Sequence, residues 1–345
     1  MVPMISNIDA RLILEELTLA AIAAISCIAL IIFLRPLLVR YALARPNARS
    51  SHSKPTPQGG GIAVIGGTII AVGCNVVLLP GLLSGSHGLI TLVAATIGLA
   101  IVGATDDIRP LKAAPRLLLQ SIAVAIVIAA LPEGLRILPL IPWWLERALL
   151  LVGGVWFVNA VNFMDGIYWM TVAEVVPVTV GLALFGLMGA LPPDATVIAF
   201  AICGAIIGFA PFNRPVARLF LGDVGSLPIG LLLGWLLILL AGSGHLAAAL
   251  LLPLYYLADA TITLLRRLAN GEQVMQAHRS HFYQRATDNG FSVMQIVGRV
   301  FALNIALAVL AATTLATPSR LLHIAAFAVG CGMVSLLLYR FAQPR

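Results

Sequence analysis

The strongest constraint on this chain is the recurrence of apolar runs close to the ~20 residues an α-helix needs to cross a bilayer. About eleven are legible by length and composition, at approximately 14–34, 60–80, 88–104, 117–131, 147–164, 170–191, 195–212, 226–242, 245–265, 296–316 and 320–339. The fourth is short enough to imply an earlier start. Of the whole chain, 60% is hydrophobic and 10% charged. Mean hydropathy is +1.02. Soluble domains carry about a quarter charged residues, so a soluble protein, a disordered tail and a coiled coil are excluded. Long unbroken runs, rather than short alternating ones, exclude a β-barrel. The 31 Gly and 20 Pro suit transmembrane helices. The expected fold is an all-α polytopic membrane protein, one domain over 1–345.

Cys27, Cys74, Cys203 and Cys331 stand singly within apolar runs, without the spacing of a disulfide framework or zinc site. Asp9, Glu15 and Glu16 stand before and at the start of the first run, the wrong polarity for a cleavable signal peptide. Orientation follows from the Lys/Arg bias. With the N-terminus outside and the C-terminus cytoplasmic, all of the 21 Lys and Arg except Arg11, Arg136, Arg147 and Arg320 fall inside. The net charge of +7 is thereby explained by topology and calls for no nucleic-acid partner. Basic inner loops also attract anionic lipid and phosphate-bearing substrates. Trp143 and Trp144, in the longest outer segment, read as an interfacial anchor.

Nearly all remaining polar residues lie in inner loops at about 35–59, 105–116, 164–170, 213–225 and 266–295. Asp106 and Asp107 end the third run in GATDDIRPL. Adjacent carboxylates there are costly without a compensating cation, which points to a divalent metal or a proton-accepting role. A solvated acid pair is the plain alternative. Asn159, Asn162 and Asp165 close the fifth run, the asparagines about one helical turn apart and expected to share a face. Asp223 lies in RLFLGDVGS, with Ser226 in an N-cap-like position; it reads as a structural cap or, facing the other acids, as a metal ligand. His278, Arg279 and His281, followed by Arg285, suit a pyrophosphate clamp, because Arg matches phosphate oxygens bidentately. In RPNARSSHSKPTPQGGG, the basic stretch ending at Lys54 suits substrate contact and Gly59 to Gly61 suit close helix packing. Asp259 and Glu174, near the inner ends of their runs, call for no proton pathway.

PTPQGGGIAV, TDDIRPL, NAVNFMDG, FLGDVGS and HRSHFYQR, in this order over about 45–290, resemble the polyprenyl-phosphate N-acetylhexosamine-1-phosphate transferase family. The resemblance implies transfer of an N-acetylhexosamine 1-phosphate of the N-acetylglucosamine type from a UDP-sugar to undecaprenyl phosphate, releasing UMP. The product would initiate cell-surface glycan synthesis, such as lipopolysaccharide O-antigen or other cell-wall polymers. It implies Mg2+, with Mn2+ the other candidate, held by Asp223 and Asn162. Phe220 would stack on uracil, and Arg279 with His278 and His281 would grip the diphosphate. Asp106 and Asp107 would position or deprotonate the acceptor phosphate, with Asp165 beside them among the catalytic acids and Asn159, Arg285 and Lys54 contacting substrate. The site would lie on the cytoplasmic face of a bacterial inner membrane, in a protein that a homodimer would suit. The chain departs from the family's DGIDGL, since Tyr168 stands where the second acid is usual. HRSH resembles the amino-sugar branch rather than the triple-histidine peptidoglycan branch. A secondary transporter, or an inactive homologue acting as a scaffold, are the readings to be set against it.

Overall fold

In a computed structural model of the chain, residues 10–44, 55–78, 87–273 and 278–345 are described. The basic stretch through Lys54 lies outside them. Thirteen helices account for most of the rest: α1 Ala10–Tyr41, α2 Gly61–Leu78, α3 His87–Ile108, α4 Ala113–Ala129, α5 Trp143–Met164, α6 Met170–Leu187 and α7 Pro193–Asn213, then α8 Asp223–Gly242, α9 Leu246–Leu251, α10 Leu254–Ala269, α11 Phe282–Asp288, α12 Val293–Leu315 and α13 Arg320–Ala342. Two short strands, β1 Leu43–Ala44 and β2 Thr56–Pro57, pair antiparallel after α1. Nine of the described helices are long and apolar enough to cross a membrane.

The remaining apolar runs take other forms. α4 starts at Ala113, earlier than its apolar run, and spans 17 residues. The run at 245–265 is not one helix. It breaks into α9 and α10 around Pro253, whose ring and missing N–H interrupt the helical ladder. α10 is amphipathic, with Asp259, Thr263 and Arg267 buried on its polar side. Terminators follow the local sequence. Pro110 ends α3, Pro193 opens α7, and Ser292 with Gln295 forms a capping box at the start of α12.

α8, the most enclosed of the nine, lies against α2, α3, α5 and α9. α1 and α13 are the least enclosed. Their apolar flanks suit lipid contact, since a membrane helix need not hide them. α5 sets the scale: Trp143 and Trp144, both exposed, lie at one end and Asn162 about 29 Å away at the other.

Candidate active site

At the Asn162 end, glycines let three backbones meet. A Cβ on Gly61 would lie 2.2 Å from the Gly225 Cα, and one on Gly103 2.3 Å from the Asp223 carbonyl carbon. The second segment is then tied in by hydrogen bonds. Gly60 and Gly61 N–H donate to the carbonyls of Phe220 and Leu221, each at 2.8 Å, and Phe220 N–H donates to the Pro57 carbonyl at 2.8 Å. The close-packing reading of Gly61 thus has a geometric basis, and its effect is to place the start of α8 against α2 and α3.

Asp107 is turned toward that start. Its carboxylate accepts from the backbone N–H groups of Asp223 (2.9 Å) and Val224 (3.1 Å) and from the Gln58 amide. An acid from α3 therefore caps the positive end of α8, as a helix N-terminus favours. Gly222, the N-cap residue at φ +77°, is required here because a Cβ would come within 2.5 Å of Asp107 Oδ2. Ser226 is consequently inside the helix rather than at its cap. Asp106 accepts from Leu111 N–H (2.6 Å) and Arg116 Nη1 (2.8 Å); its side chain is only 8% exposed, so it is no solvated loop acid. The same Arg116 nitrogen lies 3.5 Å from Asp223 Oδ2. Asn162 donates to Asp223 Oδ1 (2.8 Å) and Ser226 Oγ (2.9 Å).

The two asparagines do not share a partner. Asn159 donates to Gln120 of α4 (2.8 Å) and to the Val155 carbonyl, buried in an α4–α5 contact away from the acids. Three residues advance a helix by roughly 300°, leaving about 60° between the side chains. That is enough to send Asn162 to α8 and Asn159 to α4, which corrects the expected shared face.

Beyond α5 the chain turns through Asp165 and Gly166. Thr171 donates to the Asp165 carboxylate. Burial, reinforced by the Asp107 charge, pushes that carboxyl up to about 7 against the Thr171 hydrogen bond. Tyr168 follows, its ring near-parallel to Phe220 at 12° with centroids 6.0 Å apart.

The 278–288 segment docks onto the same end. Tyr283 OH donates to the Phe163 carbonyl at 2.9 Å, and a Cβ on Gly166 would collide with that hydroxyl. The His281 ring lies 6.0 Å from that of Phe163 and 4.9 Å from that of His278. Burial, with the positive field of His281 and Arg267, pulls His278 down to about 4. Arg279 reaches Thr287 Oγ1 (2.9 Å) and Asp288 (3.2 Å), while its buried Nε has no hydrogen-bond partner. Arg285 and Arg266 both lie over the Phe282 ring, at 5.8 and 5.4 Å from its centroid.

Asp259, set aside in the sequence reading, organises this segment. Fully buried, it accepts from Phe282 N–H (3.0 Å) and Tyr283 N–H (3.2 Å), capping α11, and lies 3.2 Å from His281 Nδ1. Tyr255 and Thr263 add hydroxyl contacts. Gln58 and Arg116 were missed as well. The only local signal for any of them was a polar residue beside an apolar run; their partners are remote in sequence.

The description Glycosyl transferase family 4 matches residues 89–241. A phospho-N-acetylmuramoyl-pentapeptide-transferase of Synechococcus sp. (strain JA-3-3Ab) is 30% identical over 302 residues, covering 78% of this chain and 84% of its own. The chain belongs to the polyprenyl-phosphate N-acetylhexosamine-1-phosphate transferase family. A probable undecaprenyl-phosphate N-acetylglucosaminyl 1-phosphate transferase of Bacillus subtilis (strain 168) is 24% identical over 316 residues, 84% of this chain and 85% of its own. A decaprenyl-phosphate N-acetylglucosaminephosphotransferase of Mycolicibacterium smegmatis is 28% identical over 326 residues, 84% and 79%. Both donor branches of the family are thus represented at similar distance.

For a transferase of this family, the geometry gathers residues of all five motifs at one end of the bundle: Gln58 with Asp107, Asp106 with Arg116 and Asp223, Asn162 with Asp223, and Phe163–Gly166 with Tyr283 and His281. Asn159 stands apart, and Lys54 lies outside the described residues. Among those residues, no three His, Cys, Asp or Glu side chains form a metal-holding group.

Proposed function

We propose that this chain transfers an N-acetylglucosamine-type sugar 1-phosphate from its UDP-sugar to undecaprenyl phosphate on the cytoplasmic side of a bacterial inner membrane. The product, a polyprenyl-diphosphate-linked sugar, would initiate a cell-surface glycan such as O-antigen. The observation that carries this reading is the convergence of Asp106, Asp223 and Asn162 with a basic, histidine-bearing segment docked on the end of α5. HRSH favours the amino-sugar donor over the muramyl-pentapeptide donor. The outward-facing N-terminus rests on the Lys/Arg bias.

Two polyanions must be brought together, so positioning and charge neutralisation are the main demands on the protein. An acceptor phosphate oxygen attacks the sugar-bearing phosphorus. One P–O bond forms, the bond to the bridging oxygen breaks, and UMP leaves with that oxygen. The acceptor, a phosphate monoester with second pKa ≈ 6, is already largely ionised at neutral pH and needs no strong base. Direct attack is therefore favoured over a covalent aspartyl intermediate. Arg279, with its unpartnered Nε, is suited to the donor diphosphate. Arg116 is placed to hold Asp106 and Asp223 in orientation and to offset their charge. Asp107 acts through α8, by holding its first turn.

The donor set suits a hard cation. Asp223 lies beside Asn162 and within 3.5 Å of Arg116. Its carboxylate, with the Asn162 amide beside it turned to present Oδ1 in place of the Nδ2 that now donates to Asp223, would offer the few protein oxygens that Mg2+ or Mn2+ accepts when substrate phosphates complete its shell. Such an ion would supply charge neutralisation at the diphosphate.

The test uses purified full-length protein in detergent with undecaprenyl phosphate, Mg2+ and a panel of UDP-N-acetylhexosamines, read as UMP release with and without chelator. Release that requires both lipid phosphate and metal, and falls at least ~100-fold in Asp223→Asn as loss of a charge-stabilising group does, is expected. Absence of release with every donor from folded protein would favour the inactive-homologue reading.

A further inference from the structure

The inner end of the α12–α13 pair carries a charge imbalance that the transferase site does not use. From Asn289 to Arg345 the sequence holds no acid, yet Arg299, Arg340 and Arg345 all belong to that end. Phe291, buried in the turn before α12, is the hub. Arg299 and Arg340 both lie over its ring, at 4.7 and 5.4 Å from the centroid, and Phe341 packs T-shaped against it at 5.8 Å. Hydrogen bonds clip the two helix ends together. The Asn289 amide donates to the Phe341 carbonyl (2.7 Å), Arg345 N–H to the Asn289 carbonyl (3.0 Å), and the Arg345 guanidinium to the Gln295 side chain (3.2 Å). Asp288, the last acid before this stretch, is held by Arg279 at 3.2 Å. Among the described residues, no acid pairs with Arg299, Arg340 or Arg345. Like charges gathered without a counter-charge repel one another, so an anion among them is favoured.

Depth in the membrane says which anion. Arg299 lies six residues inside α12, about 9 Å from its first residue, and Arg340 two residues before the end of α13. Both are exposed, as are Met294, Phe301 and Ile305 on α12 and Leu336 and Tyr339 on α13. Those apolar flanks suit hydrocarbon, which leaves the guanidiniums at the boundary where a bilayer presents its phosphates.

We propose that Arg299 and Arg340, with Arg345 beside them, bind the phosphate of an anionic phospholipid from the cytoplasmic leaflet, the leaflet resting on the Lys/Arg bias. The planar fork of arginine matches phosphate oxygens, and the lipid's own tails hold the phosphate at this level. The site takes no part in the transfer itself. The lipid would pin the α11–α12 turn, three residues beyond Asp288, to the end of α13.

The experiment titrates full-length protein in detergent micelles with phosphatidylglycerol, phosphatidylcholine, undecaprenyl phosphate or inorganic phosphate, and reads the apparent melting temperature. Phosphatidylglycerol is expected to raise it. Phosphatidylcholine, whose choline offsets its phosphate, should leave it nearly unchanged at the same mole fraction. The half-maximal phosphatidylglycerol level should rise about fivefold in Arg299→Gln or Arg340→Gln and about thirtyfold in the double variant, as loss of one or two basic groups near an anionic surface does. Arg320→Gln, at the opposite end of α13, removes the same charge and should titrate like the parent. Should the double variant fail to fold, the fivefold shift in Arg340→Gln, close to a helix end, decides. Equal stabilisation by the two phospholipids, no stabilisation by either, or an equal shift in Arg320→Gln overturns the proposal. So does stabilisation by inorganic phosphate alone, the mark of a soluble anion's site, or by undecaprenyl phosphate alone, the mark of the acceptor's path.

Discussion

At the scale of single residues, the site depends on acids whose partners are backbone groups. Asp259 is the clearest case, buried beneath α11 with two backbone N–H groups and the His281 ring on its oxygens. It is a positioning residue, acting through His281 and the α11 N-terminus. Asp259→Asn keeps an acceptor but loses the charge that orients the imidazole. A fall in kcat of about tenfold is expected, with a displaced pH–rate profile and partial recovery in Asp259→Glu. A purely structural role would change stability without moving the profile. His278 makes a separate prediction. Its folded value near 4 lies below the ordinary 6.5, so the unfolded chain binds the proton first as pH falls. Stability is complete above about 6.5 and declines as pH drops toward 4. His278→Gln should flatten that slope in the apparent melting temperature read between pH 7 and 4.

Among the helices, backbone approach is what builds the site. α3 carries an internal control. Gly103 leaves no room for a Cβ beside Asp223, whereas nothing lies within 4 Å of a Cβ on Gly98. Gly103→Ala is expected to push α3 from α8, costing about 1–3 kcal/mol as overpacking does and abolishing UMP release. Gly98→Ala should be silent in both. Thermal unfolding and turnover of the two variants side by side decide this; equal behaviour would mean that α3 and α8 do not approach so closely. α10 teaches the complementary lesson. Pro253 was a visible breaker inside the apolar run, yet length alone suggested a single span. The break separates α9 from an amphipathic helix whose polar side supports the histidine segment.

For the molecule as a whole, the two ends of the bundle differ in chemistry. The acids, His281 and Arg116 share one end, while Trp143, Trp144 and Arg147 mark the other. If the polar end is cytoplasmic, Asn270→Cys should resist a membrane-impermeant maleimide in intact cells and react after permeabilisation. Glu133→Cys, on the opposite end, should react in both. The native cysteines lie within apolar helices and should contribute little background. Reversed labelling would invert the topology and move the active site outside.

Much of this was legible in the sequence because it is local. The length of an apolar run is set by bilayer thickness, a helix end by a proline, and the polar residues beside those ends by the cost of burying them in lipid. The all-helical membrane fold, most span positions and the motifs at one end follow from such terms alone. What tertiary structure decided is which polar group each acid meets. Asp107 finds the amides of residues 223 and 224, Asn159 finds Gln120, Asp259 finds His281, and Asn213 couples Trp169 to Leu219. Those pairings bring together residues from separate helices and loops, so no sequence window contains both partners. They depend on glycine contacts and helix rotations, and a hydrogen bond exists only once these have brought donor and acceptor within about 3 Å.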